Sequence, residues 1–184
     1  MPYTPYHFGL NGFVGLLFRR RMDVPMILLA NVLLDVEVLA AGWFAYEGHV
    51  HQFLRLHTLL VGGAAGAAMG AAVYYLKPLR RVCELAMALV GLPYRATLLS
   101  MTVGGLLGAW LHVLIDALYH LDVQPLWPYT RNPFIRNFIG PFGLYYPTIQ
   151  RYVRTLCIAF WGLFLALYLW LILKKIYKAW RSPA

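Results

Sequence analysis

The chain has 184 residues, 61% of them hydrophobic and only 12% charged, with a mean hydropathy of +0.61. A soluble domain averages about 45–50% apolar and about 25% charged residues, so the composition excludes an ordinary soluble domain and indicates one compact integral membrane unit over 1–184. The formal charge of +9 sits at the ends of the apolar runs, a topogenic pattern that also attracts anionic lipid head groups; the bilayer is the expected partner, and no nucleic acid is.

The N-terminus, MPYTPYHFGLNG, lacks the basic start and small-residue cleavage site of a signal peptide. Crossing the hydrocarbon takes about 20 apolar residues in a helix. The first apolar stretch, Phe8–Phe18, is too short to cross and reads as a half-entering or interfacial helix. Spanning helices are predicted at Pro25–Tyr46, Thr58–Leu76, Ala96–Tyr119 and Thr155–Leu173, with a short interfacial helix at Cys83–Leu92 bracketed by Pro78 and Pro93 as helix stops. The fold class expected is therefore an all-α, polytopic transmembrane bundle with about four spanning helices plus short N-terminal and interfacial helices. Gly62, Gly66 and Gly70 repeat every four residues, as do Gly104 and Gly108; both stripes predict close helix packing that draws the His57 end of one helix toward the His112 end of another. Cys83 and Cys157 have no metal-type spacing and read as small apolar fillers.

Eleven Lys and Arg residues fall on one side (Arg19, Arg20, Arg21, Lys77, Arg80, Arg81, Arg95, Lys174, Lys175, Lys178, Arg181) and five on the other (Arg55, Arg131, Arg136, Arg151, Arg154). The positive-inside rule makes the first side, and the C-terminus with it, cytoplasmic. The 46–57 loop and the 120–154 segment then face outward. The latter carries Trp127, Tyr129, Tyr145 and Tyr146, an interfacial belt that also offers a surface for a membrane-protein partner.

Ionisable residues lie inside these apolar runs: Asp35 and Glu37 in the first, His112 and Asp116 in the third. Charge in a bilayer is costly and usually functional, and His, Asp and Glu are the types that hold a catalytic metal. His112 and Asp116, at i and i+4, share one helix face. Asp35 and Glu37 are about 200° apart around a helix, so one faces a pocket and the other a different partner. At about 1.5 Å per residue, Asp35 lies about 21 Å above Arg21, Glu37 about 24 Å, and His112 and Asp116 about 24 and 30 Å above Ala96. His57 caps its helix about 30 Å above Lys77, and a half-helix from Arg19 lifts His7 about 18 Å. These depths let the side chains meet in the outer half of the membrane. Asn31, one turn before Asp35, is placed to hydrogen-bond in the site. Taken alone, His57 reads as a solvated helix-start residue, and His49, His51 and His120 as membrane-edge histidines. Arg55 and Arg131 read first as lipid head-group contacts and second as phosphate binders.

The stretches TPYHFG (4–9), LANVLLDVEV (29–38), HQFLRLHTLLVG (51–62) and WLHVLIDALYHLDVQPLWP (110–128) resemble the membrane-bound metal-dependent hydrolase family, also described as LexA-binding, inner-membrane-associated hydrolases. The resemblance covers about residues 4–130, and its most specific part is His-x3-Asp followed by Leu-Trp-Pro. It implies that the family's metal ligands fall on His7, Asp35, His57, His112 and Asp116. Leu34 stands where the family's acidic pair has Pro, Glu37 where it has a second Asp, and Leu56-His57-Thr58 where it has Thr-His-Ser. The leading expectation is an inner-membrane hydrolase holding a divalent metal, zinc or manganese, whose bound water is the nucleophile. Glu37 is the candidate general base, and a lipid-linked or phosphoester substrate matches a site at bilayer depth. Two other readings stay open: a non-catalytic membrane subunit of a larger complex, and a small ion or proton transporter.

Overall fold

The computed structural model describes residues 4–44, 47–89, 96–135 and 146–181. It is all-helical, with six α-helices and no strand among the described residues: α1 (Thr4–Leu17), α2 (Val24–Trp43), α3 (Leu59–Tyr75), α4 (Lys77–Leu89), α5 (Leu98–Tyr119) and α6 (Tyr146–Arg181). A short 3-10 turn covers Val50–Gln52 in the α2–α3 connector. By length and composition α2, α5 and α6 are able to cross a membrane, and α3 with α4 makes a fourth, sharply bent candidate.

Local chemistry sets three of the helix starts. Asp23 accepts a hydrogen bond from the Met26 amide at 2.9 Å, with Pro25 in the first turn of α2. Thr58 accepts from Val61 N at 3.0 Å, and Thr97 forms a reciprocal capping box with Ser100. These groups satisfy amide donors that a helix N-terminus leaves without partners.

Three expected elements differ from their predictions, the first being α1, which starts at Thr4 rather than Phe8. The interfacial helix starts at Lys77 rather than Cys83, because Pro78 sits in its first turn, where a missing N–H does no harm. It turns by 98° from α3, so it lies across the end of the bundle and buries Cys83 and Met87. The last helix runs from Tyr146 to Arg181 rather than Thr155–Leu173. Arg151, Arg154 and Lys174 mark where apolar sequence stops, but charge does not stop a helix whose backbone is internally bonded. Pro93, Arg95, Arg136, Tyr145 and the ends of two predicted segments (Tyr46 and Leu92) lie outside the described residues.

Lipid is as apolar as leucine, so helices in a bilayer associate through close packing rather than through the hydrophobic effect. The glycines do this work, with a different division of labour from the one predicted. A Cβ at Gly66 would strike the backbone of Gly105, one at Gly105 the backbone of Gly66, and one at Gly70 the Met101 carbonyl, so α3 and α5 touch backbone to backbone. Gly104 and Gly108 face α2 instead, against the backbone of Asp23 and Ile27. Helix α5 is thus clamped between α2 and α3. Gly9 lets α1 rest on α6 beside the Trp161 amide and the Cys157 carbonyl. At one end of the bundle, Leu16, Val24, Met87 and Leu171 form an apolar cluster beneath the basic residues. Toward the other end, Ala30, Leu34, Ala109 and Val113 form a floor, and polar residues gather above it.

Candidate metal centre

Three helices and one connector deliver side chains to one place. His7 comes from the start of α1, Asp35 and Glu37 from the upper half of α2, His57 from the residue before the Thr58 cap, and His112 and Asp116 from the last two turns of α5. His7, Glu37, His57 and His112 are fully buried and Asp116 nearly so. Of the five expected ligands, the structure brings His7, His57, His112 and Asp116 into mutual contact and sets Asp35 beside His112.

Asp116 is the hub. Its Oδ1 lies 3.0 Å from His7 Nε2, and its Oδ2 lies 3.1 Å from His112 Nε2 and 3.3 Å from His57 Nε2. Asp35 Oδ1 is 3.7 Å from His112 Nε2, on the more open side of the cluster. The His7 and His112 rings stack with centroids 4.1 Å apart.

The outer nitrogens of two imidazoles are fixed by partners. His57 Nδ1 meets Glu37 Oε2 at 2.8 Å. His112 Nδ1 meets Asn31 Oδ1 at 3.2 Å, and Asn31 in turn donates to the Ile27 carbonyl at 2.8 Å and receives from Asn11 Nδ2. A proton on each Nδ1 leaves a lone pair on each Nε2. Those two Nε2 atoms, of His57 and His112, are buried and have no hydrogen-bond partner, although both lie beside Asp116 Oδ2. Buried polar atoms are seldom left so. Ligands about 2.1 Å from one tetrahedral ion stand about 3.4 Å apart, so these contacts have the spacing of neighbours around a cation. His7, His112 and Asp116, and separately Asp35, His57 and His112, each present ligand atoms within 4.8 Å of one another. These donor sets fit a divalent metal.

Glu37 takes a place other than that of a general base. Its carboxylate accepts from Leu54 N at 2.6 Å, His57 N at 3.1 Å and the His57 ring. It is fully buried and committed to three donors, so it fixes the connector and the imidazole. The 200° offset from Asp35 is resolved by Glu37 facing the 54–57 connector and Asp35 facing His112.

Three residues not selected from the sequence join the cluster. His51 Nδ1 lies 2.8 Å from Asp122 Oδ2, and His120 Nε2 lies 3.9 Å from Asp116 Oδ1. His120 continues the His112–Asp116 spacing by four more residues, a signal visible in the sequence. His51 and Asp122 carry none, because their pairing spans 71 positions. Burial drives the His120 imidazole down to about 4 against the pull of Asp116, leaving it neutral at pH 7. Burial works to raise the Asp122 carboxyl, but the hydrogen bond and charge of His51 outweigh it and hold it below the ordinary carboxylate range.

The connector above the site is tied down by Arg55. Its backbone is left-handed, with φ at 60°. Its guanidinium donates to Gln52 Oε1 at 2.8 Å and Gln124 Oε1 at 3.3 Å, and lies 5.9 Å from the centre of a Trp127 ring. Arg55 thus contacts protein here, rather than standing ready for a head group.

No family model, curated protein or solved structure matches the chain. The geometry of the site carries the functional reading.

Proposed function

We propose that the protein is a membrane-embedded, metal-dependent hydrolase. The observation that supports this most directly is the pair of buried Nε2 atoms of His57 and His112 that converge on Asp116 Oδ2 at 3.3 and 3.1 Å in an otherwise apolar bundle. His7, His57, His112 and Asp116 would hold the ion, with Asp35 at its accessible edge. Zinc or manganese suits imidazole and carboxylate donors together. A bound divalent ion lowers the pKa of water toward neutrality and supplies a nucleophile.

The chain's own groups supply orientation. Glu37 and Asn31 hold the His57 and His112 rings through Nδ1, the usual outer partners of metal-bound histidines. Asp35, with 21% of its side chain exposed, is the group best placed to take or give a proton on the open side, in place of Glu37. A cluster at bilayer depth suits an amphipathic substrate, of which a lipid-linked phosphoester is the class we assign. The eleven-to-five distribution of basic residues supports a cytoplasmic C-terminus, and the family resemblance implies a bacterial inner membrane. The four stretches resembling the membrane-bound metal-dependent hydrolases supply the same ligand set.

Elemental analysis of detergent-purified protein tests the reading. Wild type is expected to carry stoichiometric zinc or manganese and to cleave a phosphoester lipid in mixed micelles. The His112→Ala/Asp116→Ala double variant is expected to do neither. Full metal content in that variant, or a well-folded wild type that takes up no metal, would return the cluster to a hydrogen-bonded scaffold.

A further inference from the structure

One ion does not account for all the donors. Five of the six histidines and four of the seven acidic residues meet at this end of the bundle; His49, Asp23, Glu47 and Glu84 are the ones outside. The imidazoles run in an unbroken series. Ring centroids are 4.1 Å apart from His7 to His112, 5.3 Å from His112 to His57, 4.8 Å from His57 to His51 and 4.3 Å from His51 to His120. A catalytic zinc takes about three protein ligands and an octahedral ion six at most. Excluding Glu37, eight donor side chains are present: His7, Asp35, His51, His57, His112, Asp116, His120 and Asp122.

The excess separates cleanly. His51, His120 and Asp122 present ligand atoms within 4.8 Å of one another and share no residue with the His7–His112–Asp116 or Asp35–His57–His112 sets. A fourth set, His51–His57–Asp116, joins the two regions. Asp116 stands between them, with Oδ2 toward His57 and His112 and Oδ1 within 3.9 Å of His120 Nε2. Charge points the same way. Among the described residues, the ion pairs of Glu37, Asp116 and Asp122 are with imidazoles, not with Lys or Arg.

We propose a second cation site, formed by His51, His120 and Asp122 and adjoining the first across the Asp116 carboxylate, so that the centre is dinuclear. The proposal rests on the metal-centre reading above. Adjacent ions about 3.5–4 Å apart are suited to phosphoester cleavage, one beside the attacking oxygen and the other beside the leaving oxygen. Each site has a buried and a more open part: Asp35 of the first is 21% exposed beside fully buried His57 and His112, and His120 and Asp122 of the second are 13% and 20% exposed beside His51 at 4%.

The test is zinc stoichiometry on metal-stripped, detergent-purified protein reloaded with Zn²⁺ alone, desalted and measured by elemental analysis. Two ions per chain are expected in wild type, and one in each of His120→Ala and Asp122→Asn. Retention of the first-site ion in those variants also reports that they are folded. One ion in wild type, two in both variants, or loss of both ions from both variants would overturn the second site while leaving a metal centre standing. No ion in wild type would remove both readings.

Discussion

Helices α5 and α6 are both long and apolar, yet they are built for different neighbours. The most apolar stretch of α6 has a mean hydropathy of 2.4 and is 11% buried; that of α5 reaches 1.8 and is 50% buried. Helix α6 turns large side chains such as Leu163, Leu169 and Trp170 outward and, among the described residues, gives none to the candidate metal centre. Helix α5 buries Gly104, Gly105, Gly108 and Ala109, which bring α2 and α3 to it, and then His112 and Asp116, which those helices surround. The more hydrophobic helix marks the membrane. The less hydrophobic one marks the site, because small residues let backbones close over polar ones.

This contrast is broken most directly at Asp116. Asp116→Ala removes the hub of every contact to His7, His57 and His112. Zinc affinity measured by competition with a chelator is expected to fall more than about a hundredfold, beyond the loss seen when outer partners are removed. Hydrolysis should vanish with it. Next in size is Gly105→Leu. The new side chain meets the Gly66 backbone, which has no rotamer to change, so overpacking should cost about 3 kcal/mol. For a chain of this size that lowers the thermal midpoint by about 6–12 °C in detergent. An unchanged midpoint would show that α5 is not clamped.

Glu37→Gln sharpens the comparison between binding and positioning. The amide keeps the side chain's shape but loses the charge and one acceptor facing His57. Metal affinity is expected to fall about 10–100-fold. If Glu37 were instead the general base, turnover would collapse with affinity intact. The smallest effect belongs to α6: Leu169→Ala, at a 57% exposed position, should stay within about 0.5 kcal/mol, or about 2 °C in midpoint.

Helices α2, α3 and α5 were legible to within three residues at each end from the length of their apolar runs; the caps at Asp23, Thr58 and Thr97 explain where they start. Helix α6 was legible as a span but not as a helix. Hydropathy registers lipid contact, and the flanking arginines and lysines lie on helical turns beyond it. Within the site, His112 and Asp116 were legible from their spacing, and His7 from its depth together with a resemblance. Glu37 was legible as a polar residue in an apolar run but not in its role, which depends on where the 54–57 connector folds back. His51 and Asp122 could not be paired from sequence, since nothing local in either segment refers to the other. His120 repeats the helical interval of His112 and Asp116, yet it sits where the helix ends, and that position hid it among boundary histidines.

At position 55 the backbone favours glycine and the chain supplies arginine. A left-handed residue with a side chain costs roughly 1–2 kcal/mol, so the guanidinium must return that much through Gln52, Gln124 and Trp127. Arg55→Gly would therefore relax the turn while unfastening the 50–57 connector from the 121–127 segment. Thermal tolerance and turnover should then part company, the first hardly altered and the second falling as the roof over the imidazoles loosens.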